Sequence, residues 1–152
     1  MQIALYEPDI PQNTGTILRL GACLGVPVHI VGPAAFDSSE RNFRRAGLDY
    51  LDQVELINHI SFATFDAWRR QEGRRLMLLS TQGDTAHVDF GFRAGDVLLC
   101  GRESAGVPDA VHAAADARLR VPMRPGLRSL NVAMALAIVL SEALRQTGGF
   151  PR

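Results

Sequence analysis

Lysine is absent from this sequence of 152 residues, and all 16 basic residues are arginine. They are balanced by 16 acidic residues, so the formal net charge is zero and no overall field attracts the molecule to nucleic acid. Any RNA-binding surface must therefore be a local patch. A guanidinium pairs well with phosphate, but a chain without lysine can also reflect a genome-wide codon bias, so only the clustering of the arginines is informative.

Cysteine is scarce as well. Cys23 and Cys100 lie in apolar stretches without the spacing of metal ligands, which argues against a disulfide framework or a zinc site. We expect two buried structural thiols and no bound metal. The glycine patterns of ordinary dinucleotide-binding and P-loop proteins are missing, and the four histidines form no arrangement typical of a catalytic triad.

Long hydrophobic runs are also missing, since none approaches the roughly 20 residues that span a bilayer. The N-terminus enters a strand-like pattern at once, without the regions of a signal peptide. We therefore expect a cytoplasmic protein that has no membrane partner. The length and the 47% hydrophobic content predict one domain over residues 1–152 with a substantial core.

Strand-like and helix-like segments alternate along the chain, which is typical of an α/β fold with a parallel sheet and helices on both faces. Apolar runs predict strands at 2–6, 26–31, 51–57, 75–81, 96–101 and 117–123. Helical spacing predicts helices across 17–24, 38–45, 61–71 and 129–146.

The last predicted helix is apolar almost all round between Leu130 and Leu140, whereas a helix on the surface of a monomer has a polar face. We expect this helix to lie between the sheet and a second subunit. The alternative is a helix that its own chain encloses.

Three short polar loops, at 13–15, 101–108 and 121–131, each follow a predicted strand and open a helix. The carboxyl ends of parallel strands gather along one edge of a sheet. The three loops are therefore predicted to meet in one crevice, which makes them a candidate site.

Taken singly, the polar residues of these loops have ordinary structural explanations. The glycines of 101–108 fit a tight turn, Asn13 and Ser129 suit helix N-caps, and Arg19 fits a solvated helix face. Asn131 is harder to explain, because it interrupts an apolar stretch two residues into the predicted helix. Its side chain there needs a hydrogen-bonding partner or a functional role.

Taken together, these residues resemble the three motifs of the SPOUT methyltransferases that modify ribose 2′-hydroxyls. The matching residues are Asn13 with Arg19, Gly-x-Glu-x-x-Gly-Val-Pro at 101–108, Val-Pro-Met at 121–123 and Ser-Leu-Asn at 129–131. The opening segment 5–15 and the segment Arg-Arg-Ala-Gly-Leu-Asp-Tyr at 44–50 resemble the branch of this family that acts on the wobble nucleotide of tRNA. The resemblance covers essentially the whole chain.

The resemblance implies a SPOUT fold with a trefoil knot in its C-terminal part, and a homodimer. It also implies S-adenosylmethionine as the methyl donor and S-adenosylhomocysteine as the product. In the family, backbone groups hold most of this cofactor in the knot; the matching positions here are Leu79, Gly101, Val121 and Ser129.

The resemblance further implies a catalytic set. It places Arg19 at the reacting 2′-hydroxyl, and it assigns the orientation of Arg19, the ribose and the cofactor to Asn13, Glu103, Ser129 and Asn131. A guanidinium with a pKa above about 12 is a poor base. We therefore expect Arg19 to hold an adjacent phosphate or the developing alkoxide.

No appended RNA-binding domain is expected, so the tRNA must bind to this domain and its partner subunit. The anticodon loop is the expected partner, because its bases and 2′-hydroxyls are exposed. The resemblance implies leucine isoacceptors as the tRNAs. The arginines expected to bind RNA are Arg41, Arg44, Arg45, Arg124 and Arg128. Two alternatives stay open: 2′-O-methylation at another tRNA or ribosomal RNA position, and a knotted RNA-binding module without catalysis.

Overall fold

The fold is built on a parallel sheet, seen in a computed structural model that describes residues 1–34, 36, 45 and 50–152. The strands of this part of the chain are β1 (Gln2–Tyr6), β2 (Val28–Val31), β3 (Leu56–His59), β4 (Leu76–Leu79), β5 (Thr85–Ala86), β6 (Val97–Cys100) and β7 (Ala117–Arg120). The helices are α1 (Pro11–Leu24), α2 (Phe62–Gln71), α3 (Asp109–Ala114) and α4 (Val132–Thr147), and a 3₁₀ turn at His87–Asp89 follows β5. All neighbouring strands pair in parallel, in the order β3-β2-β1-β6-β4-β7-β5, which confirms the predicted fold class.

Two strands differ most from the sequence prediction. β3 begins at Leu56, later than predicted, because the preceding residues form a turn in which the backbone N–H of Gln53 donates to the carbonyl oxygen of Tyr50 at 3.0 Å. β5 has only two residues, too few for an alternating pattern to reveal it. The predicted helix 38–45 lies outside the described residues, apart from Arg45.

Helices cover both faces of the sheet, as predicted. Successive strand residues point to opposite faces, so Ile3 and Leu5 join the core beneath α1 and α4. Ala4 and Tyr6 join the core beneath α2 and α3, where Phe65 is fully buried. Burial on both faces explains why the central strands are continuously apolar.

Late strands of the chain are inserted between strands that precede them in sequence. β7 lies between β4 and β5, both of which precede it in sequence, while β6 pairs with the other edge of β4. The knot itself depends on the path of the connections and stays a prediction.

Cys100 is buried in β6, as predicted, but the prediction of burial is wrong for Cys23, which is exposed on α1. Cys23 lies four residues after the exposed Arg19, so the helical period puts both on the outer side of α1. Among the described residues, no helix has the length and hydropathy needed to cross a membrane. No cluster of three or more His, Cys, Asp or Glu side chains in this part of the chain could hold a metal ion.

Helix α4 is only partly covered by the described chain. Leu136 and Leu140 are fully buried, whereas Met134 is 59% exposed and Ile138 is 38% exposed. The described residues therefore leave one side of this helix exposed.

Candidate functional site

The three polar loops meet in a cavity of about 590 Å³ that the carboxyl ends of β4, β6 and β7 border. Its wall includes all four residues that were predicted to hold a cofactor, which are Leu79, Gly101, Val121 and Ser129. It also includes four other residues singled out in the sequence, which are Asn13, Glu103, Arg128 and Asn131. Segments far apart in the chain thus form one crevice, as a parallel sheet predicts.

The loop after β6 is closed on itself at the cavity wall. Arg102 and Gly106 exchange two backbone hydrogen bonds of 2.9 and 2.8 Å, and Gly106 has a φ of 63°. A Cβ on Gly101 would lie 2.8 Å from the carbonyl carbon of Gly106, so a side chain here would push the loop apart. The loop is therefore both a tight turn and part of the cavity wall.

Asp9 and Glu103 tie this loop to the β1–α1 connection. The backbone N–H of Glu103 donates to Oδ1 of Asp9 at 3.1 Å, and the backbone N–H of Asp9 donates to Oε2 of Glu103 at 3.4 Å. The hydroxyl of Ser104 also donates to Oδ2 of Asp9. Hydrogen bonding with the Glu103 side chain, and then with Ser104 and the backbone, lowers the pKa of Asp9 to about 2. Burial, and then the hydrogen bond with Asp9, raises the pKa of Glu103.

Arg102 is held in the same corner by two carboxylates. Its Nη1 lies 3.7 Å from Oε2 of Glu7, and its Nε lies 3.7 Å from Oδ2 of Asp9. Glu7 has a φ of 39°, a left-handed backbone conformation that residues other than glycine rarely adopt. Backbone strain of this kind is concentrated at functional sites, and Glu7 contacts this one through Arg102, which lines the cavity.

A chain of amide hydrogen bonds crosses the crevice from α4 to the loop after β6. The side-chain Nδ2 of Asn131 donates to Oδ1 of Asn13 at 2.9 Å, and Nδ2 of Asn13 donates to Oε1 of Glu103 at 3.4 Å. Each of the three motifs contributes one member of this chain. The partner that Asn131 needs is therefore Asn13.

The helix caps differ from the prediction. α4 begins at Val132, and its N-cap is Asn131, whose Oδ1 accepts the backbone N–H groups of Ala133 and Met134 at 2.9 and 3.4 Å. Ser129 is not the cap but an exposed residue at the cavity wall. Asn13 lies inside the first turn of α1, which Pro11 begins, so it is free to use its side chain in the crevice.

Arg19 does not line the cavity. It is exposed on α1, where its guanidinium carbon lies 4.6 Å from the centre of the Tyr50 ring and its Nη2 donates to the Tyr50 hydroxyl at 3.4 Å. The sequence pattern did not point to Tyr50 as a partner of Arg19. The only signal available was that Tyr50 ends the motif-like segment 44–50.

Some arginines stabilise the fold, whereas others are uncommitted, which here means exposed and without a hydrogen bond or ion pair to the described residues. Arg69 and Arg120 bind backbone carbonyl oxygens and are used by the fold. Arg124 and Arg128 are exposed in the loop after β7, and neither side chain has a hydrogen bond or ion pair with the described residues. Arg45 is also exposed. Two further predicted RNA-binding residues, Arg41 and Arg44, lie outside the described part of the chain.

His112 is a cavity residue that the sequence reasoning missed. It lines the cavity from α3 and is half-buried. The sequence pattern gave the histidines no role, because they form no arrangement typical of a catalytic triad. The available signal was its position four residues after the Gly-Val-Pro sequence that ends at Pro108.

A parallel α/β sheet whose carboxyl edge joins an Asn-Arg helix, a Gly-x-Glu-x-x-Gly loop and a Ser-Leu-Asn turn defines an RNA ribose methylase class. The SpoU rRNA Methylase family matches residues 1–141, and the chain belongs to this family. The resemblance drawn from the sequence is confirmed.

Individual relatives are similar over nearly the whole chain. The chain is 62% identical over 150 residues to a tRNA (cytidine(34)-2'-O)-methyltransferase of Beijerinckia indica subsp. indica, covering 99% of this chain and 94% of the relative. A solved structure concerned with the 2-OH methylation of C/U34 on tRNA superposes with a TM-score of 0.90 at 41% identity, covering 95% of this chain and 94% of that one. The SpoU methyltransferase AviRb from Streptomyces viridochromogenes, in complex with AdoMet, gives a TM-score of 0.87 at 30% identity, covering 96% of this chain and 57% of that one.

Proposed function

We propose that this protein transfers a methyl group from S-adenosylmethionine to the ribose 2′-hydroxyl of nucleotide 34, the wobble nucleotide of tRNA. The observation that carries the proposal is the meeting of three motif loops in one crevice, with the chain Asn131–Asn13–Glu103 joining them. The name of the relative at 62% identity supports the choice of nucleotide 34.

The cavity fits S-adenosylmethionine in size and chemistry. Its volume of about 590 Å³ is within the usual range for small-molecule sites. Leu78 and Val121 give apolar walls suited to an adenine ring, and Gly101 lets the backbone approach closely. Backbone groups at Leu79, Gly101, Val121 and Ser129 would hold the polar groups of the molecule. When bound, S-adenosylmethionine supplies a methyl group on a positively charged sulfur, which an oxygen nucleophile can attack.

The side chains at the crevice act mainly by positioning, which for well-oriented reactants can supply roughly 7–11 kcal/mol. Asn131 fixes Asn13, and Asn13 fixes the carboxylate of Glu103, so the polar groups beside the cavity have set orientations. The Ser129 hydroxyl is exposed at the same wall and can contact the ribose or the cofactor.

Arg19 supplies positive charge to the reaction from outside the cavity. A guanidinium stays protonated, so Arg19 stabilises the developing alkoxide or holds the adjacent phosphate, and the 2′-hydroxyl proton passes to solvent water. None of the described carboxylates forms an ion pair with Arg19, so its charge remains available to RNA.

A homodimer is part of the proposal. Met134 and Ile138 lie four residues apart on α4 and are 59% and 38% exposed. Leu130, two residues before the helix begins, is 40% exposed, and the three side chains form an apolar stripe that runs onto α4. A second copy of the chain that covers this stripe would remove its apolar side chains from water. The resulting homodimer would contain two crevices. The stripe begins next to Asn131, so the dimer would also enclose the mouth of the crevice.

We propose that a single domain acts in the cytoplasm and binds RNA on its own surface. Arg128 lies at the cavity wall, and Arg124 is exposed in the same loop after β7. The other arginines proposed to bind RNA are Arg41, Arg44 and Arg45. An anticodon loop is single-stranded, so its wobble ribose can reach such a crevice without strand opening.

The test is methyl transfer from labelled S-adenosylmethionine to bulk tRNA taken from cells without a nucleotide-34 methyltransferase. Nuclease mapping and mass spectrometry then locate the product, and Arg19→Ala provides a control with the same cavity and strongly reduced methyl transfer. A 2′-O-methyl group at nucleotide 34 supports the proposal. Methylation elsewhere in tRNA, or only in ribosomal RNA, would contradict the assignment of nucleotide 34 as the substrate. Cofactor binding without any methyl transfer would favour a non-catalytic RNA-binding module.

A further inference from the structure

Arg19 is held by an aromatic ring and not by a carboxylate. Its guanidinium carbon lies 4.6 Å from the centre of the Tyr50 ring, and its Nη2 donates to the Tyr50 hydroxyl at 3.4 Å. The two residues are 31 positions apart, so the contact depends on the fold. The described part of the chain gives Arg19 no ion pair.

We propose that Tyr50 is a positioning residue for Arg19, an inference that rests on the proposed function. A ring restrains a guanidinium by cation–π attraction without neutralising its charge, whereas a carboxylate would compete with phosphate for the same N–H groups. The hydroxyl of Tyr50 takes one of the five N–H donors of Arg19 and leaves the others for RNA. Tyr50 thus fixes the direction of a side chain that would otherwise sample many rotamers in solvent.

Tyr50 is itself anchored. Its carbonyl oxygen accepts the backbone N–H of Gln53 at 3.0 Å, which closes a turn ahead of β3. Leu51 and Val54, in the same turn, pack against the core beneath α1 and α4. The ring is therefore held against α1, the helix that carries Arg19.

The experiment compares Tyr50→Phe with Tyr50→Leu, and uses Phe150→Leu as a matched loss of an exposed aromatic ring elsewhere. We expect Tyr50→Leu to lower kcat for tRNA about two- to fivefold, which is the size of one exposed cation–π contact, with the Kd for S-adenosylmethionine unchanged. Tyr50→Phe keeps the ring and should keep most of the activity. Phe150→Leu should leave kcat unchanged.

The same substitutions in an Arg19→Ala background decide whether Tyr50 acts through Arg19. Under single-turnover conditions with excess enzyme, Tyr50→Leu should then have no further effect. An equal loss in both backgrounds would overturn the proposal, since it would mean that Tyr50 contacts RNA directly. An unchanged kcat for Tyr50→Leu in the parent chain would overturn it as well.

A readout without RNA separates this inference from the proposed function. Nitrogen-15 relaxation of the Arg19 Nε–H reports its motion on the picosecond to nanosecond scale. We expect this group to become more mobile in Tyr50→Leu and to stay ordered in Tyr50→Phe. Unchanged mobility in Tyr50→Leu would overturn the positioning role, even if wild-type protein methylates tRNA. If wild-type protein methylates no tRNA, the proposed function fails and the relaxation result still decides whether Tyr50 orders Arg19.

Discussion

Asn131 donates a hydrogen bond of 2.9 Å from its side-chain amide to the side-chain oxygen of Asn13, 118 positions earlier in the chain. The other atom of the same amide, Oδ1, accepts the backbone N–H of Ala133 and caps α4. One side chain thus fixes the start of α4 and the orientation of Asn13. Asn13 in turn donates to Glu103. The direction of donation along these hydrogen bonds is therefore fixed, because Glu103 accepts at one end and the Oδ1 of Asn131 is used as a helix cap at the other.

Asn131→Asp should separate these two roles. The carboxylate still accepts the N–H of Ala133, so α4 keeps its cap, but it has no N–H to give to Asn13. Asn13 must then turn its amide, which brings its oxygen toward the oxygen of Glu103. We expect methyl transfer to fall about tenfold or more, equivalent to about 1.4 kcal/mol, with little change in thermal unfolding.

The controls are Asn131→Ala and Ser61→Ala, both followed by thermal unfolding and by methyl transfer. Asn131→Ala should lose activity and also about 1 kcal/mol of stability, because the cap is gone. Ser61 caps α2 by accepting the N–H of Thr64 at 3.2 Å, away from the crevice, so Ser61→Ala should cost similar stability and keep activity. Full activity in Asn131→Asp would mean that its bond to Asn13 is not used in the reaction.

The sequence predicts the parts of this fold that burial alone decides. Ile3 and Ala4 are both apolar because each faces a helix layer, and such runs predict central parallel strands. The crevice was predictable in outline for the same reason, since the ends of parallel strands share an edge.

Specific side-chain partners were not predictable from spacing. The bond between Asn131 and Asn13, and the contact of Arg19 with Tyr50, depend on which strands are neighbours and how the loops turn. The cap of α4 was placed two residues early, at Ser129, because Ser and Asn are about equally good caps and only geometry decides which one meets the free N–H groups.

Gly101→Ala should damage the cavity more than the fold. The added Cβ would lie 2.8 Å from the backbone of Gly106, and two backbone hydrogen bonds hold that loop closed. We expect affinity for S-adenosylmethionine to fall at least about tenfold and stability to fall by about 1–3 kcal/mol. Isothermal titration calorimetry and urea unfolding measure the two effects.

Gly91→Ala is the matched control, because a Cβ at Gly91 would meet nothing within 4 Å and its φ lies outside the left-handed region. It should leave both the affinity and the stability close to those of the parent chain. Normal cofactor binding by Gly101→Ala would contradict the assignment of this loop to the cofactor.

Arg128→Ala should weaken tRNA binding by removing a phosphate contact. Arg128 is exposed at the cavity wall, without a hydrogen bond or ion pair to the described residues. We expect the slope of log K against log salt to become shallower by about 0.7, the value for one contact with single-stranded RNA. Arg93→Ala changes the charge equally, but Arg93 is exposed in the turn before β6, at the opposite edge of the sheet. Equal weakening by both substitutions would indicate a nonspecific charge effect and no patch at the crevice.

His29 should make the stability of the fold depend on pH. Its Nε2 lies 2.8 Å from Oε1 of Gln2 and its Nδ1 lies 2.8 Å from Nε2 of His59, and the Phe65 and Trp68 rings pack against it. Since an amide oxygen only accepts, Nε2 of His29 donates to Gln2 and Nδ1 accepts from His59. Burial, followed by the charges of His59 and Arg74, lowers the pKa of His29 to about 4.

The direction of the effect follows from the proton count. An unfolded histidine has a pKa of about 6.5, so between pH 6.5 and about 4 the unfolded chain binds a proton that the folded chain refuses. The contribution of neutral His29 to the free energy of unfolding is therefore complete above pH 6.5. It decreases as the pH falls through this window, by at most about 3 kcal/mol. Burial also lowers the pKa of His59, which acts in the same direction.

Urea unfolding of wild type and His29→Gln at several pH values between 7.5 and 4.5 measures this contribution. Glutamine keeps a donor and an acceptor but does not titrate, so other ionisable groups cancel when the two proteins are compared. We expect wild type to be the more stable protein at pH 7.5 and the difference to shrink steadily below pH 6.5. A difference that stays constant over this range would mean that His29 accepts a proton as easily in the folded chain as in the unfolded one.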